Sequence, residues 1–315
     1  MTTSLPYAHW MRDCASVLGA RSLADIVLPG SYNAGAVNLR SITVLDCGER
    51  WANTQREPVS AQLRAGIRYL DLHVQYLRVE GAYGPYLVHT PAGGIATFFG
   101  QSVAQVVADV LAFVREHPQE IVVLHFSRFY DMDATRHAHL AELLRAWLGE
   151  RAAPPLARDA TMGEFWTAAL QLVVLYGTDR PGSTGRAAAF ATWSTLWEAP
   201  SVCCCAPIPE QQLLPGLLAH FTQGLRVRVP GQLGVLLGTC KVTAAAMLRA
   251  YVWPSADIID RAHLAAYLNP HIVDWLKVYW AKLPVNVVAL DYATDSDLVA
   301  TALVLNLMRN APLPA

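Results

Sequence analysis

The chain has 315 residues, enough for two average domains or for one large α/β barrel, which typically needs about 250. Hydrophobic residues make up 53% and charged residues only 16%, which excludes an intrinsically disordered chain. The net charge of −1 argues against a nucleic-acid-binding protein, which normally carries a basic face. Mean hydropathy is +0.26, yet no apolar run approaches the ~18 residues of a membrane span, so we assign the apolar excess to an interior.

Short apolar runs alternate with helical patterns along the chain, as is typical of βα units. The predicted strands are residues 24–28, 67–74, 86–89, 121–126, 170–176, 234–240 and 286–291. The predicted helices are residues 58–65, 102–116, 135–148, 211–223 and 296–309. This order, with no evident linker, favours a single closed TIM-like (β/α) barrel over residues 20–295. Residues 1–19 are then an N-terminal extension, and residues 296–315 a C-terminal helix packing on the barrel.

Polar residues fall at the carboxyl ends of the predicted strands, where barrel enzymes place their functional groups. Asp71 and His73 end the second strand, and their two-residue spacing puts both side chains on one side. Asp291 ends the last strand. A carboxylate in an apolar strand is costly unless it has a partner, so we assign both aspartates to a functional or ancestral site. His89 ends the third strand and is predicted to be an acid/base group, with a hydrogen-bonded core histidine as the alternative. His125 is interpreted as such a core histidine.

The six cysteines form neither a CxxC pair nor a regular disulfide framework, so we expect buried, reduced thiols. Palmitoylation of the cluster at residues 203–205 is the alternative, but no basic patch adjoins that cluster. The first eleven residues lack a basic segment followed by an apolar core, so no secretory signal is expected.

Several segments, taken in order, resemble the X-domain family of phosphatidylinositol-specific phospholipases C (PI-PLC), most closely its stand-alone X-domain-containing proteins. The most specific is QLRAGIRYLDL at residues 62–72. The others are LPGS at 28–31, WANTQ at 51–55, VH at 88–89, HPQEIVVL at 117–124, GTCKVT at 238–243 and NVVALD at 286–291. The resemblance implies a distorted, partly open TIM barrel.

The resemblance also implies a chemistry, which is phosphodiester cleavage by the substrate's own 2-hydroxyl group. One histidine takes the hydroxyl proton, and a second protonates the leaving diacylglycerol oxygen. A cation balances the phosphoryl charge: a second-strand arginine in metal-independent members, Ca²⁺ in the others. His89 matches the second histidine, Asp71 the second-strand acid, and Asp291 the carboxylate that orients the first histidine.

The chain departs from the family pattern at the first histidine, which is Tyr32, and at the following aspartate, which is Asn33. The second-strand arginine is His73. A tyrosine, with a pKa near ~10, is a poor general base at neutral pH. Asn33 and Asp71 match only two calcium ligands, while the other acidic positions fall on His73 and approximately Ser127. We therefore expect no metal and no cofactor.

Two hypotheses follow from these departures. The first is a PI-PLC-like phosphoric diester hydrolase, weak or degenerate, in which His73 oriented by Asp71 serves as a relocated base or, when protonated, as the missing cation. The second is a non-catalytic barrel that binds an inositol phosphate, a lipid headgroup or a protein partner. His73 within hydrogen-bond reach of Asp71, facing His89 across a phosphate-sized gap, favours the first. We expect the partner to be a phosphoinositide or other phosphodiester headgroup at a membrane surface, and the location to be cytoplasmic with peripheral membrane contact.

Overall fold

The computed structural model describes residues 7–41, 49–90, 97–177, 185–198, 201–203, 213–228, 231–252 and 258–309. Within these residues ten strands form one sheet. They are β1 (Leu28–Ser31), β2 (Arg40–Ser41), β3 (Tyr69–Val79), β4 (Ala82–His89), β5 (Phe98–Ser102), β6 (Val122–Tyr130), β7 (Leu172–Tyr176), β8 (Ser201–Cys203), β9 (Gly234–Gly238) and β10 (Val287–Leu290). The helices are α1 (Trp10–Asp13), α2 (Ala15–Leu18), α3 (Glu49–Ala52), α4 (Val59–Arg64), α5 (Val103–Glu116), α6 (Ala134–Leu148), α7 (Met162–Thr167), α8 (Arg186–Thr192), α9 (Leu213–Arg226), α10 (Ala244–Val252), α11 (Arg261–Tyr279) and α12 (Leu298–Met308).

Seven of the strands form a parallel, curled array in the order β7-β6-β3-β1-β10-β9-β8. Successive side chains of a strand point to opposite faces, so the array separates two apolar layers. The inner layer includes Leu28, Tyr69, Val123, Val173, Val235 and Val287. The outer layer, shared with the helices, includes Leu70, Leu124, Val174, Leu236 and Val288. The parallel strands thus enclose an interior whose carboxyl edge carries the polar residues predicted from the sequence.

The prediction of a closed barrel of parallel strands is wrong, because the array is a curled half-barrel. In the part of the chain that is described, β7 and β8 share no ladder, and a single bridge joins Leu175 to Trp197. β8 pairs with β9 instead. In addition, the predicted third parallel strand is antiparallel, since β4 turns back along β3 as a hairpin. The prediction of a mixed α/β fold with a barrel-like sheet is confirmed.

The first strand lies later in the chain than predicted. Residues 23–25 form a 3₁₀ turn, and β1 begins at Leu28 and continues through Pro29 and Gly30. Gly30 is needed there because a Cβ at this position would lie 2.8 Å from Cδ1 of Tyr69. Helix α11 is not predicted from the sequence, because Pro270 interrupts its pattern from inside the helix.

The first and the last of the described helices, α1 and α12, pack against the amino edge of the parallel strands. Trp10 of α1 is buried in the inner layer and donates its indole N–H to the carbonyl of Gly66 at 3.0 Å. Asn306 of α12 exchanges two hydrogen bonds with the backbone of Val27, at 2.7 and 2.9 Å. None of the helices in the described ranges combines the length and the apolar character that a membrane span requires.

Two of the described cysteines are free thiols, Cys14 half-buried and Cys240 buried. Cys204 and Cys205 of the cysteine cluster lie outside the described residues.

Candidate functional site

The six candidate residues lie together at the carboxyl edge of the parallel strands. Tyr32 and Asn33 follow β1, Asp71 and His73 lie in β3, and Asp291 follows β10. His89 ends β4. Because β4 runs antiparallel to β3 and Leu87 is paired with Val74, His89 lies beside the part of β3 that carries His73. All six residues are buried.

Asp71 is the most highly connected of them. One carboxylate oxygen accepts a short hydrogen bond from the Ser127 hydroxyl, and the other accepts the backbone N–H of Asn33 at 3.0 Å. Nε2 of His73 lies 3.0 Å from the same second oxygen. Burial pushes the pKa of Asp71 up. His73, which is positive at the low pH where this carboxyl titrates, and the hydrogen bond from Ser127 outweigh burial and hold the pKa well below its usual range. Asp71 is therefore ionised.

His73 faces the interior with unused hydrogen-bonding capacity. Its distance to Asp71 is that of an ion pair, but the alignment does not make a hydrogen bond, and neither ring nitrogen has one within the described residues. The ring stands edge-on to Tyr32, with centroids 5.4 Å apart, and its centroid lies 6.4 Å from that of His89. Burial lowers the pKa of His73 although Asp71 opposes this, so the ring is neutral near pH 7.

His89 is held by the backbone of the 51–55 segment. Its Nδ1 lies 2.5 Å from the carbonyl of Ala52, which can only accept, so the proton is assigned to Nδ1 and Nε2 is left for a ligand. Burial, aided by the nearby positive charge of Arg261, lowers the pKa of His89 well below its ordinary value. The ring of His89 is therefore neutral near pH 7 in the ligand-free protein.

Asn33 connects the two histidine-bearing strands. Its backbone is in the left-handed region, with φ of 40°, which asparagine tolerates better than most residues. Its N–H binds Asp71, and its side-chain amide donates to the carbonyl of Val88 at 3.1 Å, one residue before His89. Thr54 donates to the carbonyl of Asn33 at 2.9 Å. Asn33 thus positions both Asp71 and His89.

Tyr32 occupies the interior where the family pattern has its first histidine. It is 6% exposed, and its carbonyl accepts the amide of Gln55 at 2.8 Å. Burial raises the pKa of Tyr32 far above the ordinary tyrosine value, although the positive charge of Arg128 opposes this. The Tyr32 hydroxyl therefore stays protonated and can donate a hydrogen bond, but it cannot serve as a base.

Asp291 is held by residues that the sequence reasoning missed. It accepts the hydroxyl of Thr239 at 2.6 Å, and Nη1 of Arg261 lies 3.4 Å from the same oxygen. The other carboxylate oxygen is buried without a partner among the described residues. Burial raises the pKa of Asp291, although Arg261 opposes this. Arg261 begins the unpredicted helix α11, so only recognition of that helix would have drawn attention to it.

Two further sequence expectations concern histidine and metal. His125 is a core histidine as predicted, since its ring bonds the hydroxyl of Tyr69 at 2.5 Å and the carbonyl of Gly177 at 2.7 Å. The donors around Asp71 do not fit Ca²⁺, because both of its oxygens accept protein hydrogen bonds and His73 stands where an acidic ligand would be needed. The described residues contain no group of three His, Cys, Asp or Glu side chains arranged to hold a metal.

Solved structures define the class of fold. The PI-PLC of Listeria monocytogenes superimposes with a TM-score of 0.65 at 13% identity, covering 95% of this chain and 98% of that one. A PI-PLC of Staphylococcus aureus gives a TM-score of 0.63 at 13% identity, over 96% of this chain and 98% of that one. The chain therefore has the fold of a PI-PLC.

Sequence similarity narrows the class. No protein-family model matches the chain. The chain is 23% identical to PI-PLC X domain-containing protein 2 of Mus musculus over 326 residues, covering 95% of this chain and 87% of the mouse protein. With the protein of the same name from Homo sapiens it shares 27% over 188 residues, which cover 54% of this chain and 59% of the human protein. The protein is thus PI-PLC X domain-like and similar to the stand-alone members, which confirms the resemblance recognised in its sequence.

Proposed function

We propose that the protein is a metal-independent phosphodiesterase that cleaves an inositol phospholipid headgroup, with His73 in place of the missing first histidine. The observation that carries this proposal is the position of His73, whose Nε2 lies 3.0 Å from Asp71 and whose ring centroid lies 6.4 Å from that of His89. In the proposed reaction the two neighbouring imidazoles act on two oxygens of one phosphoryl group.

His73 is the general base in this proposal. Asp71 is ionised and lies beside Nε2 of His73, so it favours the tautomer with the proton on that nitrogen and leaves Nδ1 as the acceptor. Nδ1 takes the proton of the inositol 2-hydroxyl, whose oxygen then bonds to phosphorus as the bond from phosphorus to the diacylglycerol oxygen breaks. The products are a cyclic inositol phosphodiester and diacylglycerol.

His89 is the general acid. Its Nδ1 is committed to the carbonyl of Ala52, so the proton for the leaving oxygen comes from Nε2, and the ring must be protonated first. The free ring is neutral because of its lowered pKa. A bound phosphodiester anion raises that pKa, because a nearby negative charge favours the imidazolium form. Substrate binding and charging of the acid are therefore coupled.

The alternative function is a headgroup-binding barrel without turnover. The buried, protonated Tyr32 packed edge-on against His73 favours it, because the ring occupies space that a substrate needs. In this reading His89 and His73 contact a bound phosphate but transfer no proton.

The deciding experiment measures release of inositol cyclic phosphate from phosphatidylinositol by the purified protein, with Ca²⁺ and with a chelator. We expect turnover that is unaffected by the chelator and is lost in His73→Gln and in His89→Gln. The matched control is His271→Gln on α11, which leaves the site intact. Binding of inositol 1-phosphate without turnover would favour the alternative, and turnover that survives His89→Gln would contradict the proposed mechanism.

A further inference from the structure

We propose that Arg128 of β6 is the cation that contacts the phosphoryl oxygens, in place of the second-strand arginine that His73 has replaced. This inference rests on the proposed function, because it names the group that binds the phosphoryl charge at that site. The observation behind it is an irregularity in the pairing of β3 with β6 that turns Arg128 toward the interior.

The pairing of the two strands shifts by one residue at this point. Leu72 is level with Phe126, but His73 is level with Arg128, so Ser127 is the extra residue of a β-bulge. In a regular strand, the residues after Phe126 would alternate between the inner and the outer face. The bulge breaks that alternation and directs two consecutive side chains inward.

Packing on either side of the bulge shows that the alternation between the inner and the outer face shifts by one residue. Phe126 belongs to the outer layer, whereas Ser127 reaches inward to bond Asp71. Phe129 is again in the outer layer, where its ring lies 4.7 Å from that of Tyr176 and 4.7 Å from that of His137. Because Phe129 faces out, Arg128 before it faces in, level with His73. Arg128 is partly buried, and its positive charge opposes the rise in the pKa of Tyr32 and helps burial to lower the pKa of His73.

Arg261, the other arginine near the site, is committed elsewhere. Its guanidinium donates to the hydroxyl of Thr239 and to the carbonyl of Cys240, at 3.2 and 3.0 Å, and it lies 3.4 Å from Asp291. These contacts hold α11 against the ends of β9 and β10. Arg261 is therefore a positioning residue, and a phosphoryl group between His73 and His89 needs Arg128 as its cation. A guanidinium suits the task because it stays charged and offers paired donors to phosphate oxygens.

The test separates anion binding from turnover. Arg128→Gln, Arg128→Lys and the exposed control Arg64→Gln are assayed for binding of inositol 1-phosphate by calorimetry and for kcat and KM on phosphatidylinositol vesicles, with melting temperatures as the folding check. We expect Arg128→Gln to lower kcat by about 10²–10³-fold and to weaken inositol 1-phosphate binding, because a donor aimed at developing charge is removed. Arg128→Lys should recover part of both, and Arg64→Gln should change neither.

A second variant distinguishes a chemical role from a structural one. In Arg128→Ala, millimolar guanidinium should restore part of the lost rate, which a merely structural arginine would not allow. If the wild-type protein turns over substrate and Arg128→Gln changes neither kcat nor inositol 1-phosphate affinity, Arg128 is not the cation and the phosphodiesterase proposal stands. If no variant turns over substrate but Arg128→Gln abolishes inositol 1-phosphate binding, the cation site stands and the phosphodiesterase proposal fails. Absence of both activities in the wild-type protein would overturn the inference.

Discussion

Both ends of the half-barrel bury charged groups, but they satisfy them differently. At the amino edge, Arg68 and Glu120 are both fully buried with Nη2 and Oε2 2.7 Å apart. Arg68 also donates to the carbonyls of Leu63, Ile67 and Ala8, and Glu120 accepts the backbone N–H groups of Met11 and Arg12. At the carboxyl edge, both ring nitrogens of His73 and one oxygen of Asp291 have no hydrogen-bond partner among the described residues.

This is the difference expected between a structural ion pair and the ligand site that we propose at the carboxyl edge. A buried charge is tolerated when its hydrogen-bonding capacity is filled, and Arg68 with Glu120 meet that condition within the protein. Unfilled capacity at the other edge costs stability and is retained where a ligand can fill it. Arg68 lies in the segment 62–72 and Glu120 in the segment 117–124. These two family-like segments therefore supply the buried ion pair at the amino edge.

The largest expected effect is on catalysis at the carboxyl edge. His73→Gln should lower kcat/KM on phosphatidylinositol by about 10²–10⁴-fold, the usual contribution of a positioned base. Its free energy of unfolding in urea should change by no more than about 1 kcal/mol, because the ring nitrogens make no hydrogen bonds that are lost. A variant that is both inactive and strongly destabilised would show that His73, like Arg68, is needed for the stability of the fold.

The reverse outcome is expected at the amino edge. Glu120→Gln should lower the free energy of unfolding by about 3–5 kcal/mol, because it leaves the Arg68 charge buried without its partner. The surviving folded protein should keep its kcat. Glu80→Gln, which breaks the exposed pair of Arg40 and Glu80, is the control and should cost no more than about 1 kcal/mol. Similar losses in the two variants would contradict the assignment of Arg68 and Glu120 as a buried structural pair.

The sequence predicted which residues come together at the carboxyl edge better than it predicted how the strands bring them together. Asp71 and His73 share a face because they are two residues apart in a strand, and Asp291 ends a strand, so their proximity follows from periodicity. The return of His89 through a hairpin, and the inward turn of Arg128 at a bulge, depend on strand pairing that periodicity does not encode. Arg261 was missed because Pro270 obscures α11. The absence of a ladder between β7 and β8 in the described ranges was also not predictable, because it too depends on strand pairing.

A smaller effect is expected in the pH dependence of catalysis. In the proposed mechanism the rate requires a neutral His73 and a protonated His89, and burial lowers the pKa of both rings in the ligand-free protein. Because kcat/KM reports the free enzyme, its optimum should lie below pH 6.5, the ordinary histidine value. Initial rates at low substrate concentration between pH 4.5 and 8 provide the measurement. An optimum above pH 7 would contradict the assigned acid, since His89 would be almost entirely neutral there.

The smallest expected effect is on stability, and it again distinguishes the two edges. The folded-state pKa values of the fully buried His73, His89 and His125 lie below the ordinary value, so the unfolded chain binds more protons as pH falls through about 6.5. Their contribution is fully present above that pH and is lost below it, so the melting temperature should drop between pH 7.5 and pH 5.5. The raised pKa of Asp291 has the opposite effect, because its contribution to stability is lost as pH rises above the ordinary carboxyl pKa. The melting temperatures are therefore compared between the wild-type protein and a variant that keeps Asp291. His73→Gln should show a smaller drop than the wild-type protein, because it removes one titrating ring from the carboxyl edge. Equal drops in the two proteins would mean that His73 has the same pKa in the folded and the unfolded chain, which would contradict its burial as a neutral ring.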